Sequence, residues 1–401
     1  MIRNQDIVIV GLQPWDIEIG SNCKDIAIQF SKNNRVLYVN PPLNLNTMLL
    51  HRNRPAVRKR LAIRRTGDNL VEVAPNIWNL YPRRSIFSIN WIPSHFVFDF
   101  FNKINNRRFA GDIREAMTKI GFRDFMLFND CDMLRSFYLI DLLKPALSLY
   151  YYRDYLMAVP YWHKHGHVFE PQLIKKSTLV CANSEYLRSI AKRYNLNTFN
   201  VGSGCDLTLF DAARHFDVPH DLAGISGPII GYIGAIMSYR LDLQLLVQLC
   251  RKRREWSFVF VGKPDQDFSE SELMDLPNCY FLGLKLTDEL PFYLSRFDVA
   301  MNPQKINEMT VGNYPRKIDE YLSMGKATVA TDTTFMRNAF SEYVYLGKTA
   351  ADYEELILRA LREDNAELKE KRIRFAQTHS WKNHVESMYQ AIETVQPGVN
   401  A

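Results

Sequence analysis

The sequence lacks several patterns that would indicate a function directly, and each absence excludes a class of protein. None of the six cysteines belongs to a CxxC pair, so we expect reduced, buried thiols in a cytoplasmic protein rather than a zinc site or a disulfide framework. The most apolar window, SIFSINWIPSHFVFDFF, is interrupted by serine, asparagine, proline, histidine and aspartate, so it should not span a bilayer. The first residues, MIRNQDIVIVG, enter a strand pattern at once, and we expect no signal peptide.

The glycine-rich signatures of nucleotide-binding proteins are missing as well. Two segments look like the first strand of an α/β domain, IVIVGLQPWD and GYIGAIMSYR, and neither contains GxGxxG. A Walker A pattern is also absent. These absences argue against a dinucleotide-binding domain and against a P-loop NTPase.

Positive charge is abundant in only one half of the chain. Residues 1–200 contain 28 lysines and arginines against 16 aspartates and glutamates, a net charge of +12, whereas residues 201–401 contain 22 against 28, a net charge of −6. The excess concentrates in HRNRPAVRKRLAIRR (51–65), near the aromatic window. Basic residues among aromatic side chains suit an anionic membrane surface, and a solvated loop beside a core helix is the alternative. No nucleic-acid motif accompanies the charge. The residues assigned to this surface are Arg58, Lys59, Arg60, Arg64, Arg65 and Trp91.

Short apolar runs alternate with amphipathic segments in both halves of the chain. DIVIVG (6–11) predicts a strand, and EYLRSIAKRY predicts a helix with Ser184 as its N-cap. The segment 201–228 is rich in glycine, aspartate and proline and predicts a connection between domains, after which the alternation restarts. The sequence therefore predicts an α/β protein of two doubly wound domains with a cleft between them, where ligands lie at the carboxyl ends of the strands.

The segment NYPRKIDEYLSMGKATVATD (313–332) carries the clearest candidate site. Pro315 suits the first position of a helix and Gly325 its end, so free backbone N–H groups and Lys317 could bind one phosphate. Glu320 follows one turn later and could accept hydrogen bonds from vicinal ribose hydroxyls. A solvated cation pair with a Lys–Glu bridge is the alternative.

Two strand ends of the same domain add cations to this site. GYIGAIMSYRLD (231–242) contains a glycine-broken turn followed by Arg240, and VGKPDQD (261–267) ends a strand with Lys263. Because parallel strands end at one edge of a sheet, Arg240, Lys263 and Lys317 are predicted to surround a pyrophosphate.

The order of these motifs resembles that of GT-B glycosyltransferases, in particular the bacterial teichuronic-acid and capsular-polysaccharide branch, with a more distant likeness to xanthan glucuronosyltransferases. The resemblance rests on motifs along nearly the whole chain, although residues 45–120 match little. Its most specific block is P-x-K-x-x-EYL-x-x-G-K in YPRKIDEYLSMGKATVAT (314–331). Other matching segments are GLQPWD, VLYVNPP, CANSEYL, GSGCDLTLF, FVFVGK, NCYFLG and SWKNHVESM.

The resemblance implies a GT-B fold with two Rossmann-like domains facing a central cleft. The expected division is an acceptor- and membrane-facing domain over 1–203, a nucleotide-sugar domain over 204–378, and a C-terminal helix over 379–401 that crosses back to the first domain. Lys317 is implied to contact the donor pyrophosphate and Glu320 the ribose, with no obligatory metal and no other cofactor. The residues assigned to donor binding are Gly234, Arg240, Lys263, Tyr314, Arg316, Lys317 and Glu320.

One position departs from the family pattern. Many retaining members carry an earlier glutamate that is separated from the ribose-binding one by seven residues, and here that position is Gly312, with Glu308 four residues further upstream. Retention and inversion of configuration therefore both stay open. Inversion requires a general base, for which Asp154 in YYYRDY is the first candidate; an ion pair with Arg153 or a loop cap is its alternative role.

Two further groups bear on the chemistry of the first domain. Glu170 is the second candidate for the base. HKHGH contains His163, His165 and His167, which could bind a metal, but no cysteine or acidic ligand lies nearby, and a loop facing the acceptor is the preferred interpretation.

These observations predict a cytoplasmic glycosyltransferase at the inner face of the plasma membrane. It would transfer a sugar from a UDP- or GDP-sugar to a lipid-linked or growing cell-surface polysaccharide acceptor. A nucleotide-sugar 2-epimerase of the same fold and a non-catalytic nucleotide-sugar-binding subunit are the alternatives.

Overall fold

The computed structural model describes residues 2–17 and 20–397 and divides the chain into two compact units. Unit 1 contains the residues up to Gly202 together with those from His384 onward, and unit 2 runs from Ser203 to Asn383. The division after Gly202 lies one residue before the domain boundary expected after residue 203. The division before His384 lies five residues after the expected start of the C-terminal helix at residue 379.

Unit 1 is built on an eight-stranded sheet with the order β3-β4-β2-β1-β5-β6-β7-β8, in which only β3 pairs antiparallel. DIVIVG forms its β1 as predicted, and the strand is buried along its whole length, as expected for a central parallel strand covered on both faces. The strands are β1 (Asp6–Gly11), β2 (Arg35–Val39), β3 (Leu70–Ala74), β4 (Ile77–Leu80), β5 (Phe125–Asp130), β6 (Leu147–Tyr152), β7 (Leu179–Ala182) and β8 (Thr198–Asn200). The helices are α1 (Asn22–Ser31), α2 (Leu45–Leu50), α3 (Pro55–Thr66), α4 (His95–Ile120), α5 (Leu139–Leu143), α6 (Pro160–Lys176) and α7 (Glu185–Ala191).

Unit 2 is built on a six-stranded parallel sheet with the order β11-β10-β9-β12-β13-β14. Its strands are β9 (Ile229–Ile233), β10 (Ser257–Val261), β11 (Cys279–Gly283), β12 (Val299–Asn302), β13 (Ala327–Thr331) and β14 (Tyr345–Gly347). Its helices are α8 (Leu243–Lys252), α9 (Gln266–Ser269), α10 (Leu290–Ser295), α11 (Lys317–Ser323), α12 (Thr334–Phe340), α13 (Ala350–Glu363) and α14 (Ala366–Gln377). Hydrophobic clusters cover both faces of this sheet.

The last helix, α15 (Trp381–Val395), joins unit 1 from His384 onward. Its Tyr389 packs against Phe30 at a ring-centroid distance of 5.6 Å, and the Tyr389 hydroxyl accepts a hydrogen bond from Asn34 Nδ2 at 2.9 Å. The buried His384 ring lies 3.0 Å, Nδ1 to O, from the Val201 carbonyl. These contacts hold the end of the described chain to the core of unit 1.

Local signals in the sequence account for several helix ends. Ser184 caps α7 as predicted, because its side chain accepts a hydrogen bond from the Leu187 N–H. Thr349 and Asp352 form a reciprocal capping box at the start of α13. Within the described residues, no helix is both long and apolar enough to cross a membrane.

The loop predicted at HKHGH is wrong, because this segment lies inside α6. His165, Phe169 and Leu173 follow one another at a spacing of four and form a buried stripe of the helix, which the sequence analysis did not recognise. Gly166 allows close packing on the same side, since a Cβ atom there would lie 2.4 Å from Met157 Cε. His165 is therefore a core residue of unit 1.

Candidate functional site

At the carboxyl ends of two central strands of unit 2, the backbone turns at a glycine. We call these two residues, Gly234 and Gly262, the glycine turn of unit 2. Gly234 follows β9 with φ +139° and Gly262 follows β10 with φ +154°, a region that residues with a Cβ rarely adopt. A Cβ on Gly262 would lie 1.9 Å from the Gly234 carbonyl oxygen, and one on Gly234 would lie 2.8 Å from Lys317 Nζ. Gly262 therefore lets the ends of the two strands approach each other, and Gly234 lets the Lys317 side chain approach the backbone.

Lys317 is the central charged group at this edge. Its Nζ donates a hydrogen bond to the Tyr232 hydroxyl at 2.5 Å and lies 4.0 Å from the centroid of the Tyr232 ring. Burial, with a contribution from the charge of Arg240, lowers the pKa of Lys317 to about 7, against an opposing effect of Glu320. The described surroundings do not neutralise this amine, so an anionic ligand would stabilise its charged form.

Helix α11 begins at Lys317 and not at Pro315, which corrects the predicted start. It is seven residues long, and the N–H groups of Ile318 and Asp319 already donate to the carbonyls of Pro315 and Arg316 at 2.8 and 3.0 Å. The backbone here tightens into a turn before the helix, so those two N–H groups are not available to a phosphate. The lysine side chain, rather than bare backbone donors, carries the anion-binding character of the segment.

Glu320 lies beside Lys317 as the helical spacing predicted. It is largely buried, and its Oε1 accepts a hydrogen bond from Arg316 Nε at 3.1 Å. Ile318, Tyr321 and Leu322 form the apolar face of the helix and are fully buried, and Gly325 ends the helical segment at φ +69°. The packed face fixes the helix, which holds Glu320 one turn after Lys317.

Tyr314, which the sequence assigned to binding the nucleotide-sugar donor, is buried and contacts two polar side chains of unit 2. Its hydroxyl donates to Asp319 Oδ2 at 2.7 Å and lies 3.3 Å from His379 Nδ1, which is itself 2.7 Å from Asp319 Oδ1. Burial raises the pKa of Asp319, and the contacts with His379 and Tyr314 oppose this rise. This buried network orients the segment that precedes Lys317.

The two other predicted cations differ in their relation to Lys317. Arg240 is half-buried, and its charge is one of the causes that lower the pKa of Lys317, so it belongs to the same site. Lys263 follows Gly262, and its carbonyl accepts from the Ile236 N–H at 3.2 Å, while its side chain is exposed. Glu308, the nearest upstream carboxylate to Gly312, is also exposed.

Sequence reading missed Tyr232, Asp319 and His379. Tyr232 is read as an ordinary strand residue, and its partner Lys317 lies 85 positions away. Asp319 could have been noticed, because a buried carboxylate on the apolar side of a helix requires a partner. His379 is the third member of that group and gives no local signal.

In unit 1, Asp154 follows β6 and contacts the guanidinium of Arg153, which is the alternative role considered for it. Arg153 Nε also donates to Asp130 Oδ1 at 2.6 Å, and Asp130 is fully buried at the end of β5. Asp154 remains partly exposed, with 30% of its side chain accessible. The arrangement is a carboxylate held at a strand end by a buried Arg–Asp pair.

Glu170 and His165 are buried in the core of unit 1, whereas His163 and His167 are exposed. Tyr150 donates to Glu170 Oε1 at 2.7 Å, and burial raises the pKa of Glu170 to about 7. His165 stacks on Phe98 at 3.7 Å, and its Nδ1 lies 3.0 Å from His95 Nδ1. No group of three or more His, Cys, Asp or Glu side chains in the described parts of the chain is arranged to hold a metal ion.

The predicted membrane cations divide between the two sides of α3. Arg58, Lys59 and Arg65 are exposed, although Lys59 Nζ also lies 3.0 Å from Asp16 Oδ2. Arg60 and Arg64 instead turn into unit 1, where they donate to the Pro41 carbonyl at 3.1 Å and the Ser85 hydroxyl at 2.8 Å. The spacing of four puts both on the inner side of the helix.

Trp91 is 72% exposed, and exposed apolar side chains continue from it into the first turns of α4, at Phe96, Val97 and Phe100. Leu49 and Leu50 at the end of α2 are exposed as well. Trp91 and residues of α2 and α4 line one pocket, so these exposed side chains lie on neighbouring segments, and together we call them the apolar surface of unit 1.

The two parallel-sheet units have the GT-B fold. The structure of sucrose-phosphate synthase from Thermosynechococcus elongatus matches with a TM-score of 0.71 and 14% identity, over 98% of this chain and 99% of that chain. The structure of HepE from Anabaena in complex with UDP and glucose matches with a TM-score of 0.68 and 12% identity, over 98% of this chain and 100% of that chain. At these identities the likeness shows the fold, which confirms the predicted fold class.

Sequence comparison identifies the second domain more closely. Residues 227–374, which lie within unit 2, match the family described as Glycosyl transferases group 1. A Bacillus subtilis (strain 168) protein named as a teichuronic acid biosynthesis glycosyltransferase, TuaH, is 28% identical over 225 residues. That alignment covers 53% of this chain and 56% of the relative, so the likeness extends over about half the length of each. The predicted resemblance to this branch is confirmed.

Proposed function

We propose that the protein is a glycosyltransferase that transfers a sugar from a nucleotide-sugar donor to a lipid-linked or growing polysaccharide acceptor. The observation that carries the proposal is the position of Lys317, a half-buried amine against Tyr232 and Gly234 within the group 1 glycosyltransferase domain. A charged amine there would stabilise the diphosphate that leaves when the sugar is transferred.

The neighbouring side chains suit the rest of a nucleotide diphosphate. Glu320 offers carboxylate oxygens next to Lys317, which suits the two hydroxyls of a ribose. Arg240 adds a second cation for the diphosphate, and we assign Lys263 an outer electrostatic role because it is exposed. Since these cations can balance the charge of the leaving group, the proposed reaction requires no bound metal.

The acceptor side of the proposal rests on unit 1. Asp154 is a partly exposed carboxylate at a strand end, which suits a base that removes the proton of the attacking hydroxyl. The exposed cations of α3 and the apolar surface around Trp91 suit attachment to the inner face of the plasma membrane. The relative TuaH, named for teichuronic acid biosynthesis, supports an envelope polysaccharide as the product.

The experiment that tests the function combines binding with turnover. Calorimetry with UDP and GDP should identify one tight nucleotide, and Lys317→Ala should weaken it by ~1.5–3 kcal/mol, the range of a charge-assisted contact. Lys382→Ala, which removes an exposed lysine of unit 2, is the matched control. The corresponding nucleotide sugar, incubated with membrane-extracted lipid-linked saccharide, should then yield free nucleoside diphosphate and a glycosylated lipid.

Two outcomes would overturn the proposal. Epimerised free nucleotide sugar in the absence of acceptor would indicate an epimerase. Equal affinity of wild type and Lys317→Ala for every nucleoside diphosphate would remove the site on which the assignment depends.

A further inference from the structure

Unit 1 contains a pocket of about 530 Å³ whose walls combine amides, aromatic rings and one guanidinium. Asn44 and Asn46 lie on its α2 side, Asn102 and Asn105 on α4, and Trp162 on α6. This volume is typical of small-molecule sites. Neither the donor site nor Asp154 uses the pocket.

Arg135 is the strongly basic group of this pocket. It follows β5 and is 25% exposed, and its Nε lies 3.2 Å from Oδ2 of the buried Asp132. That carboxylate is the ion-pair partner of Nε, and no hydrogen bond or ion pair of the two terminal nitrogens is found among the described residues. Of the described residues that line the pocket none is acidic, so the carboxylate that pairs with Arg135 does not belong to the pocket wall, and a ligand anion would meet no acidic group there.

A second cation lies near Arg135. Burial chiefly, and the positive charge of Arg135 in part, lowers the pKa of Arg60, although Asp16 opposes this effect. Arg60 is held by the Pro41 carbonyl at 3.1 Å, next to the Pro42 that lines the pocket. The positive charge of Arg135 thus acts on Arg60, and an anion bound at Arg135 would offset this repulsion.

The rim of the pocket is apolar and continues into the exposed apolar surface. Trp91 and Tyr161 line the pocket and are 72% and 57% exposed. The segments that supply pocket residues also carry the exposed Leu49 and Leu50 of α2 and Phe96 of α4. The site therefore changes from a cation inside to apolar side chains outside.

We propose that this pocket binds a phosphate group joined to an apolar chain, with Arg135 contacting the phosphate and Trp91 and Tyr161 contacting the chain. The inference rests on the proposed function in so far as this ligand is the lipid-linked acceptor of the transferase. A saccharide alone would offer no anion to the terminal nitrogens of Arg135, and an inorganic anion would leave the aromatic rim unused.

The test uses farnesyl diphosphate as the probe, with the full-length protein saturated by the nucleotide that it binds, so that the anion site of unit 2 is occupied. Farnesyl diphosphate should bind, and Arg135→Gln should weaken this binding by about tenfold or more, the scale of a charge-assisted contact. Arg135→Lys should retain part of the affinity, Trp91→Ala should lose several-fold, and Arg123→Ala, which removes an exposed arginine of unit 1, should change nothing.

Binding of three further ligands shows which kind of molecule the pocket recognises. Inorganic pyrophosphate and farnesol should each bind much more weakly than farnesyl diphosphate. Dihexanoyl phosphatidylglycerol distinguishes a bilayer phospholipid from a prenyl diphosphate: tighter binding of the phospholipid would overturn the role as acceptor site. Equal affinity of wild type and both Arg135 variants for farnesyl diphosphate would overturn the site itself.

The same data distinguish failure of this inference from failure of the proposed function. If the nucleotide binds and the Arg135 variants leave farnesyl diphosphate affinity unchanged, only the pocket assignment fails. If no nucleoside diphosphate binds, the transferase assignment fails whatever the pocket does. Unchanged melting temperatures and nucleotide affinities of the variants show that they are folded.

Discussion

The two halves of the chain carry opposite net charge, and this net charge does not show which cations are paired with carboxylates and which could bind a ligand. The basic half pairs many of its arginines with carboxylates: Arg35 with Asp6, Arg84 with Asp112, and Arg153 with Asp130. The acidic half keeps Lys317 half-buried against a tyrosine, with a pKa lowered to about 7. A count of charges therefore locates surfaces, whereas burial without a full counter-charge locates binding sites.

The comparison predicts that substitutions in the two units separate turnover from donor binding, and Asp154→Asn should have the largest effect. If Asp154 is the base, kcat should fall by about 10²–10⁴, while nucleotide affinity measured by calorimetry stays unchanged because the donor groups lie in unit 2. Asp141→Asn, at an exposed carboxylate of unit 1, is the control. Full activity of Asp154→Asn would assign Asp154 to its ion pair with Arg153 alone.

The glycine turn of unit 2 gives the next largest effect. Gly234→Ala places a Cβ 2.8 Å from Lys317 Nζ and holds alanine at φ +139°, so it should both displace the amine and strain the backbone. We expect nucleotide affinity to fall about tenfold or more and the free energy of unfolding to drop by about 1–3 kcal/mol. Gly224→Ala, with open space around its Cβ, should change neither quantity. Calorimetry and urea unfolding provide the two measurements.

A smaller effect should appear in the pH dependence of nucleotide affinity. The ammonium form of Lys317 binds the diphosphate, and its pKa of about 7 in the free protein means that this form is lost as the pH rises from 7 to 9. Affinity should fall by up to about tenfold per pH unit above the pKa, and binding at pH 8 should take up protons. Lys317→Ala should abolish both effects. An affinity that is constant between pH 7 and 9 in the wild type would contradict this account.

Much of the fold could be predicted because its signals are local. Buried parallel strands appear as short apolar runs such as DIVIVG, and the spacing of Lys317 and Glu320 places them one turn apart on α11. The contact of Lys317 with Tyr232 could not be predicted, since it joins residues 85 positions apart. The inward direction of Arg60 and Arg64 was also hidden, because Val57 is the only residue of α3 found buried and the helix shows no clear apolar face.

The division of α3 into an exposed and an inward side gives the smallest expected effect, and it sharpens the contrast between surface charge and site charge. Arg58→Ala with Arg65→Ala should weaken binding to anionic liposomes by about 1 kcal/mol per removed charge, because exposed cations near a bilayer contribute that much each. A control with Arg123→Ala and Lys192→Ala removes equal charge from other exposed positions of unit 1. Sedimentation with liposomes should decrease as the salt concentration rises, since exposed charges are screened. If the control variant loses as much binding as the α3 variant, only net charge matters. In that case the membrane surface is not located on the exposed side of α3.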